Sequence, residues 1–261
     1  MAGAVVGVLA GTPAPAAAQD EMPVSISAGI DIPSLYYFRG FRQEFDPKLT
    51  MWPWIDVGAS ILEEGTGAIK SASLNVGLWN SVHTGSSGSD IDGQSAFYET
   101  DFYATLGLGF ESFELGTTYT LYASPNDSFD RIHEIAIKGS VSHMLAPYGL
   151  IAFEFAEDDP GTYLELGVGP SWPLGEEEGA PTLTVPVKLG FGLKDYYDDG
   201  AAFGFFSVGG TVDYPVNEMV SIRGGVEILS LGEGAEASNV NADFETSKTG
   251  FVVFGGIGFA F

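Results

Sequence analysis

The side chains with the means to do chemistry are charged residues at alternate positions of otherwise apolar or glycine-rich segments. They are Asp31, Arg39, Asp56, Glu99, Asp101, Glu114, Glu134, Lys138, Glu154, Glu165, Lys188, Lys194, Asp213, Arg223 and Glu227. Such a set can form ion pairs, or can line a polar path that selects ions and small polar solutes. Catalytic constellations are missing. His83, His133 and His143 have neither H-x-x-x-H nor H-E-x-x-H spacing, so zinc is not indicated. His133 with Ser124 or Ser128 is the one rim pair that could suggest a hydrolase, yet no G-x-S-x-G or comparable Ser-His motif is present. Residues 88–99 match a calcium loop at Asp90, Asp92, Gly93 and Glu99, but Gly88 holds its first position and no helices flank it. Glu157-Asp158-Asp159 and Asp195, Asp198 and Asp199 could hold a cation weakly, though such clusters are more often solvated loop tips. Pieces such as Gly190-Phe191-Gly192 follow no strand-to-helix turn and carry no nucleotide signal. The expectation is a non-enzyme with no metal and no cofactor.

What must position these charges is a set of strands. After residue 20 the dominant period is two: Val24, Ile26, Ala28, Ile30 and Ile32 alternate with Ser25, Ser27, Gly29, Asp31 and Pro33. Twelve such segments are expected, at about 24–38, 50–62, 67–82, 97–110, 112–122, 130–142, 147–156, 161–172, 182–194, 200–213, 217–230 and 249–261. Most exceed the usual soluble strand and match the roughly 9–11 residues of a tilted membrane strand. Connections after odd-numbered segments are mostly long and polar, and those after even-numbered ones mostly short. The expected fold is all-β: a transmembrane antiparallel up-and-down β-barrel of twelve strands, with both termini on the periplasmic side. A two-sheet sandwich is the alternative, with apolar faces turned toward each other.

Composition narrows the classes further. The chain has 261 residues, 35 Asp and Glu against 10 Lys and Arg, a formal charge of −25 and no Cys. That charge repels phosphate backbones and excludes nucleic acid as a partner. The absence of Cys removes disulfides, thiolate metal sites and thiol nucleophiles. Mean hydropathy is +0.15, yet the body of the chain has no apolar run long enough for a spanning helix. Residues 1–18 are apolar and small, end in Ala16-Ala17-Ala18 and read as a secretory signal peptide lacking its basic start. Residues 19–261 then form a single barrel domain.

Aromatic residues near strand ends are expected to form interfacial girdles: Tyr36, Phe38 and Trp172 above all, with Trp52, Trp54, Trp79, Tyr148 and Tyr214. The chain ends Ile257-Gly258-Phe259-Ala260-Phe261. This resembles the terminal-strand signal read by the outer-membrane barrel assembly machinery, with Phe259 and Phe261 as its key residues.

A family resemblance covers residues 34–140. Tyr36-Tyr37-Phe38-Arg39-Gly40-Phe41-Arg42-Gln43 resembles the Y-x-F-R-G-x-S-Q segment of the TorF-type putative porins, with Arg42 in place of a small polar residue. Trp79-Asn80-Ser81-Val82, Glu99-Thr100-Asp101-Phe102-Tyr103 and Tyr119-Thr120-Leu121-Tyr122-Ala123-Ser124-Pro125 resemble further motifs of that family, in order, the last with Ala123-Ser124 inserted before its proline. The resemblance implies an outer-membrane barrel and little about its substrate.

The expected lumen holds the charged residues named above. Arg39, where the first strand meets an outer loop, would pair with Glu99 or Asp101, or would attract anions in a pore. Lys138, Lys188 and Arg223 would face Glu165, Glu154 and Glu227. The expected function is passive diffusion of ions or small polar solutes with a weak cation preference. The alternative is a plugged barrel serving as a structural or interaction protein. Expected partners are outer-membrane lipid, the assembly machinery, small solutes, and a protein or second copy met through outer loops 83–96 and 231–248.

Overall fold

The computed structural model describes residues 24–88, 96–155, 160–194, 196–197 and 202–261. The signal-peptide segment 1–18, most of the calcium-loop match and the clusters at 157–159, 195 and 198–199 lie outside the described residues.

Period-two segments become strands wherever one face can meet apolar surroundings and the other a polar interior. The first seven are β1 (Val24–Pro33), β2 (Thr50–Leu62), β3 (Ser71–His83), β4 (Ala96–Gly109), β5 (Phe113–Ala123), β6 (Ile132–Val141) and β7 (Tyr148–Phe155). β8 runs over Thr162–Val168 and resumes at Ser171–Pro173; β9 runs over Thr182–Thr184 and resumes at Val187–Lys194. β10 (Phe203–Pro215), β11 (Val220–Leu231) and β12 (Thr249–Ala260) complete the set. Every strand pairs antiparallel with its sequence neighbour, and β12 returns to β1, with Ser27 opposite Ala260 and Pro33 opposite Phe254. The sheet is therefore a closed barrel of twelve strands.

Two departures from the expected segments have local causes. The breaks in β8 and β9 fall at Pro170 and Pro186, which cannot donate to a ladder. Their carbonyls are still used, by the Val185 and Gly209 amides at 3.0 and 2.9 Å. The first strand stops at Pro33 rather than continuing to residue 38, and the chain turns inward there.

The apolar side of the strands faces out. Ile55, Val57, Leu74, Phe102, Leu106, Ile137, Phe206, Val226, Ile228, Phe251 and Val253 are all exposed. In water each would keep apolar area solvated at about 25 cal/mol per Å². A belt of this kind around a closed sheet is satisfied by acyl chains, and closure leaves no strand edge unpaired. The chain is a twelve-stranded barrel of the outer-membrane type. Among the described residues no helix is long and apolar enough to cross a membrane; strands do the crossing.

Candidate functional site

The interior has two unlike halves. Toward the end that holds both termini, the inward positions are small or polar and reachable: Ser25, Ser60, Ser73, Glu114, Lys138 and Ser221 are exposed. Toward the opposite end the inward side chains are buried, and the reason is the segment after β1.

That segment folds back as a hairpin. Tyr37–Phe38 pairs with Phe41–Arg42 across Arg39-Gly40. Both turn residues have positive φ, +45° and +87°, as a two-residue turn between right-twisted strands requires. Gly40 is needed for a second reason: a Cβ there would lie 3.0 Å from the Ala235 Cβ and 3.2 Å from the Phe205 ring. The hairpin tip thus lies against β10 and a one-turn helix, α1 (Glu233–Glu236), in the β11–β12 connection. Phe41 also packs on Tyr196 and Tyr197, and the Tyr197 hydroxyl donates to the Arg39 carbonyl at 2.8 Å.

From β1 the hairpin reaches across the lumen. Arg39 meets Glu134 on β6, five strands around the barrel, through two parallel hydrogen bonds of 2.8 and 3.0 Å. Its guanidinium also donates to the Tyr196 hydroxyl at 3.1 Å and lies 4.1 Å from the Tyr163 ring centroid. Arg39 and Glu134 are 7% and 1% exposed, so the pair is water-excluded and bidentate, the strong form of this interaction. Burial works against the Arg39 charge, but Glu134 and the surrounding hydroxyls hold its pKa above the ordinary arginine value.

A second anchor lies nearer β1. The Glu44 carboxylate accepts from the Tyr36 amide at 2.8 Å and from Thr50, and Glu44–Asp46 pairs with Ser86–Ser87. Gln43 accepts from Tyr98 at 2.6 Å, and Tyr36 donates to Glu99 at 3.2 Å. His83 stacks on Tyr98 and bridges Ser81 and Ser87 at 2.7 and 3.0 Å. A bulge between β3 and β4 turns both Tyr98 and Glu99 inward while Phe97 stays outside. Trp52 and Trp79 close the cluster against Tyr36, with ring centroids 5.2 and 5.6 Å away.

The remaining charges lie on the inward parity of the wall. Arg223 donates to Asp31 through Nε at 2.6 Å, opposite Asp213 in the ladder. Lys188 meets Glu227 at 2.6 Å. Lys138 sits 4.5 Å from the Tyr148 ring centroid. Asp56 accepts from Tyr103 and Asn75 at 2.9 and 2.8 Å. Glu165 accepts from Tyr148 and Tyr163, each at 2.7 Å. Glu154 and Lys194 are rim residues that take the Gly161 amide and the Pro160 carbonyl as partners.

Several expectations are corrected. Tyr36 and Phe38 are not girdle residues; at 2% and 1% exposure they are buried in the lumen, because Pro33 ends β1 before them. Trp52, Trp79 and Tyr148 also point inward, whereas Trp172 and Tyr214 are exposed. Arg39 pairs with Glu134 rather than Glu99 or Asp101. Arg223 takes Asp31, Lys188 takes Glu227, and Lys138 takes a ring rather than a carboxylate. Strand parity gives the side on which a charge lies but not the strand that faces it across the lumen. His133 lies on the outward side, hydrogen-bonded to Tyr119 at 2.9 Å, while Ser124 and Ser128 bond to Asn126. Sequence reasoning missed the inward hairpin. Its signal was present in Arg39-Gly40, a glycine-bearing pair between aromatic residues.

Comparison with known proteins gives likeness of shape only. No family model and no curated protein matches the chain, so the TorF-type resemblance rests on its short motifs. Among solved structures, the NanC porin is 11% identical, with 90% of this chain and 98% of that chain covered and a TM-score of 0.44. A bacterial polysaccharide outer membrane secretin is 10% identical over 91% and 98%, with a TM-score of 0.49. Outer membrane phospholipase A from Escherichia coli is 11% identical over 89% and 92%, with a TM-score of 0.47. At such identities nothing these proteins carry or cleave transfers to this chain.

Proposed function

We propose that the chain is an outer-membrane diffusion channel for ions and small polar solutes, closed at its outer mouth by the inward hairpin. The observation that carries this reading is the unequal packing of the lumen: a basin of small, solvent-reachable side chains lies below a half filled by the inward hairpin. A barrel filled for rigidity alone would pack both halves alike. Here the packed half depends on a hairpin joined to the wall by its two ends and by side-chain contacts, so it is the part able to move.

The wall favours cations. Asp31, Asp56, Glu99, Asp101, Glu114, Glu134, Glu165, Asp213 and Glu227 face inward against Arg39, Lys138, Lys188 and Arg223, with Glu154 and Lys194 at the rim, and three of those four inward cations are paired with carboxylates. An acidic, low-dielectric passage concentrates cations and repels anions. In this reading residues 1–18 direct export, residues 19–261 form the barrel, and Phe259 and Phe261 present the strand that the assembly machinery engages.

The test is reversal potential. With the full chain in a planar bilayer under a potassium chloride gradient, cation permeability should exceed that of chloride, with less preference after Asp56→Asn. Anion preference would contradict the selectivity reading. The second reading, a permanently plugged interaction barrel, is favoured by the bidentate clasp itself. It predicts no conductance even when the hairpin is cut out.

A further inference from the structure

We infer that Lys138 and Glu114 build a binding site in the reachable half of the lumen for small zwitterions, solutes that carry an ammonium and a carboxylate together. The inference rests on the channel reading and names the class of solute that the basin favours.

Two rows of inward positions run side by side across β3 to β6. In the first, Ser73 lies opposite Gly107, Gly107 opposite Gly116, and Gly116 opposite Lys138. In the second, Ser71 lies opposite Gly109, Gly109 opposite Glu114, and Glu114 opposite Ser140. Apart from the two charged residues, every position in these rows is serine or glycine. The rows therefore form a shallow recess in the wall. A Cβ added at Gly116, beside both charges, would meet no atom closer than 4.0 Å.

Lys138 and Glu114 are diagonal neighbours on adjacent strands, a separation of roughly 7–8 Å that long side chains can bridge. They do not pair. Both are exposed, and the Lys138 ammonium turns the other way, to lie 4.5 Å from the Tyr148 ring centroid. That ring is held in place twice. Its hydroxyl donates to Glu165 at 2.7 Å, and its edge covers Gly167, where an added Cβ would lie 2.5 Å from ring atoms. Glu165 also accepts from Tyr163 at 2.7 Å, so two hydroxyls occupy it rather than Lys138. The other inward cations are matched: Arg39 with Glu134, Lys188 with Glu227 and Arg223 with Asp31.

The recess thus offers one ammonium and one carboxylate, with glycine between them and neither charge compensated by the wall. A simple anion gains Lys138 but meets the acidic lumen and Glu114. A simple cation gains Glu114 but is repelled by Lys138. A zwitterion satisfies both, and its zero net charge spares it the repulsion that an acidic passage exerts on anions. Its carboxylate sits at Lys138, its ammonium at Glu114, and the Ser140 hydroxyl can bond to either group. Because the recess lies in the half open toward both termini, a solute reaches it while the hairpin is docked.

The test uses three probes that differ by one charged group: L-alanine, propionate and ethylamine. Saturation-transfer NMR on the full chain in detergent reads weak binding with no need for conduction. Alanine is expected to bind more tightly than either other probe, by up to about fivefold for each exposed charge pair. Lys138→Met should bring alanine down to the level of ethylamine, and Glu114→Gln to that of propionate, with heat-modified migration unchanged in both variants. Alanine binding by a barrel that admits no alanine to liposomes supports the site and sinks only the channel reading. Equal binding of the three probes overturns the inference. So does propionate held as tightly as alanine, which would mark a simple anion site, or an alanine preference that survives both substitutions.

Discussion

In the proposed channel Arg39 holds the hairpin shut, because among the described residues it is the only hairpin side chain tied to the far wall through a charge pair. Removing one partner of a buried pair typically costs about 3–5 kcal/mol, since the other charge stays unsatisfied. Here that cost falls on the docked hairpin, so Arg39→Met should raise open probability in bilayer recordings while heat-modified migration of the barrel stays as in the parent. Arg39→Lys should give an intermediate effect, because an ammonium cannot reproduce the two parallel bonds to Glu134. Lys188→Met is expected to act differently. It leaves Glu227 facing the lumen without its partner in the wall itself, and so should lower the unfolding temperature of the barrel in detergent. Glu227→Gln added to that variant should recover most of the loss. At this scale the sequence was only half legible. Inward charges were readable from parity, but Arg39's partner sits 95 residues away on a strand whose facing position depends on how the sheet closes.

The strands were the legible elements, because alternation is a local property and lipid on one side with polar interior on the other enforces it along the whole length. The prolines mark where the reading slipped. Pro33 ends β1 five residues early, and Pro170 with Pro186 splits β8 and β9. The hairpin was hidden because its aromatic residues resemble a girdle when only spacing is considered. Its turn offers a prediction of its own. Gly40→Ala places a side chain at φ +87° against Ala235 and Phe205, and the left-handed conformation alone costs roughly 1–2 kcal/mol. The variant should expose Phe38-Arg39 to limited proteolysis in an otherwise folded barrel; unchanged resistance would show that the tip is not packed as described. β12 carries a separate expectation. Deleting Phe261 should cut the amount assembled in cells far more than it lowers the stability of refolded protein.

As a whole molecule the chain combines an apolar exterior, an acidic interior and an overall charge of −25. The first two place it in a bilayer with a polar centre, and the closed twelve-strand sheet removes the edges that a bilayer would not tolerate. Closure itself was foreseeable from strand number and length. The state of the lumen was not, since it depends on contacts between residues that lie far apart in sequence. One comparison tests that state most directly: single-channel conductance of the parent chain beside a variant in which residues 35–47 are replaced by a short Gly-Ser linker. Brief, infrequent openings are expected for the parent and steady, larger conductance for the variant. Equal conductance in the two, or none from a variant that still migrates as a folded barrel, would contradict that expectation.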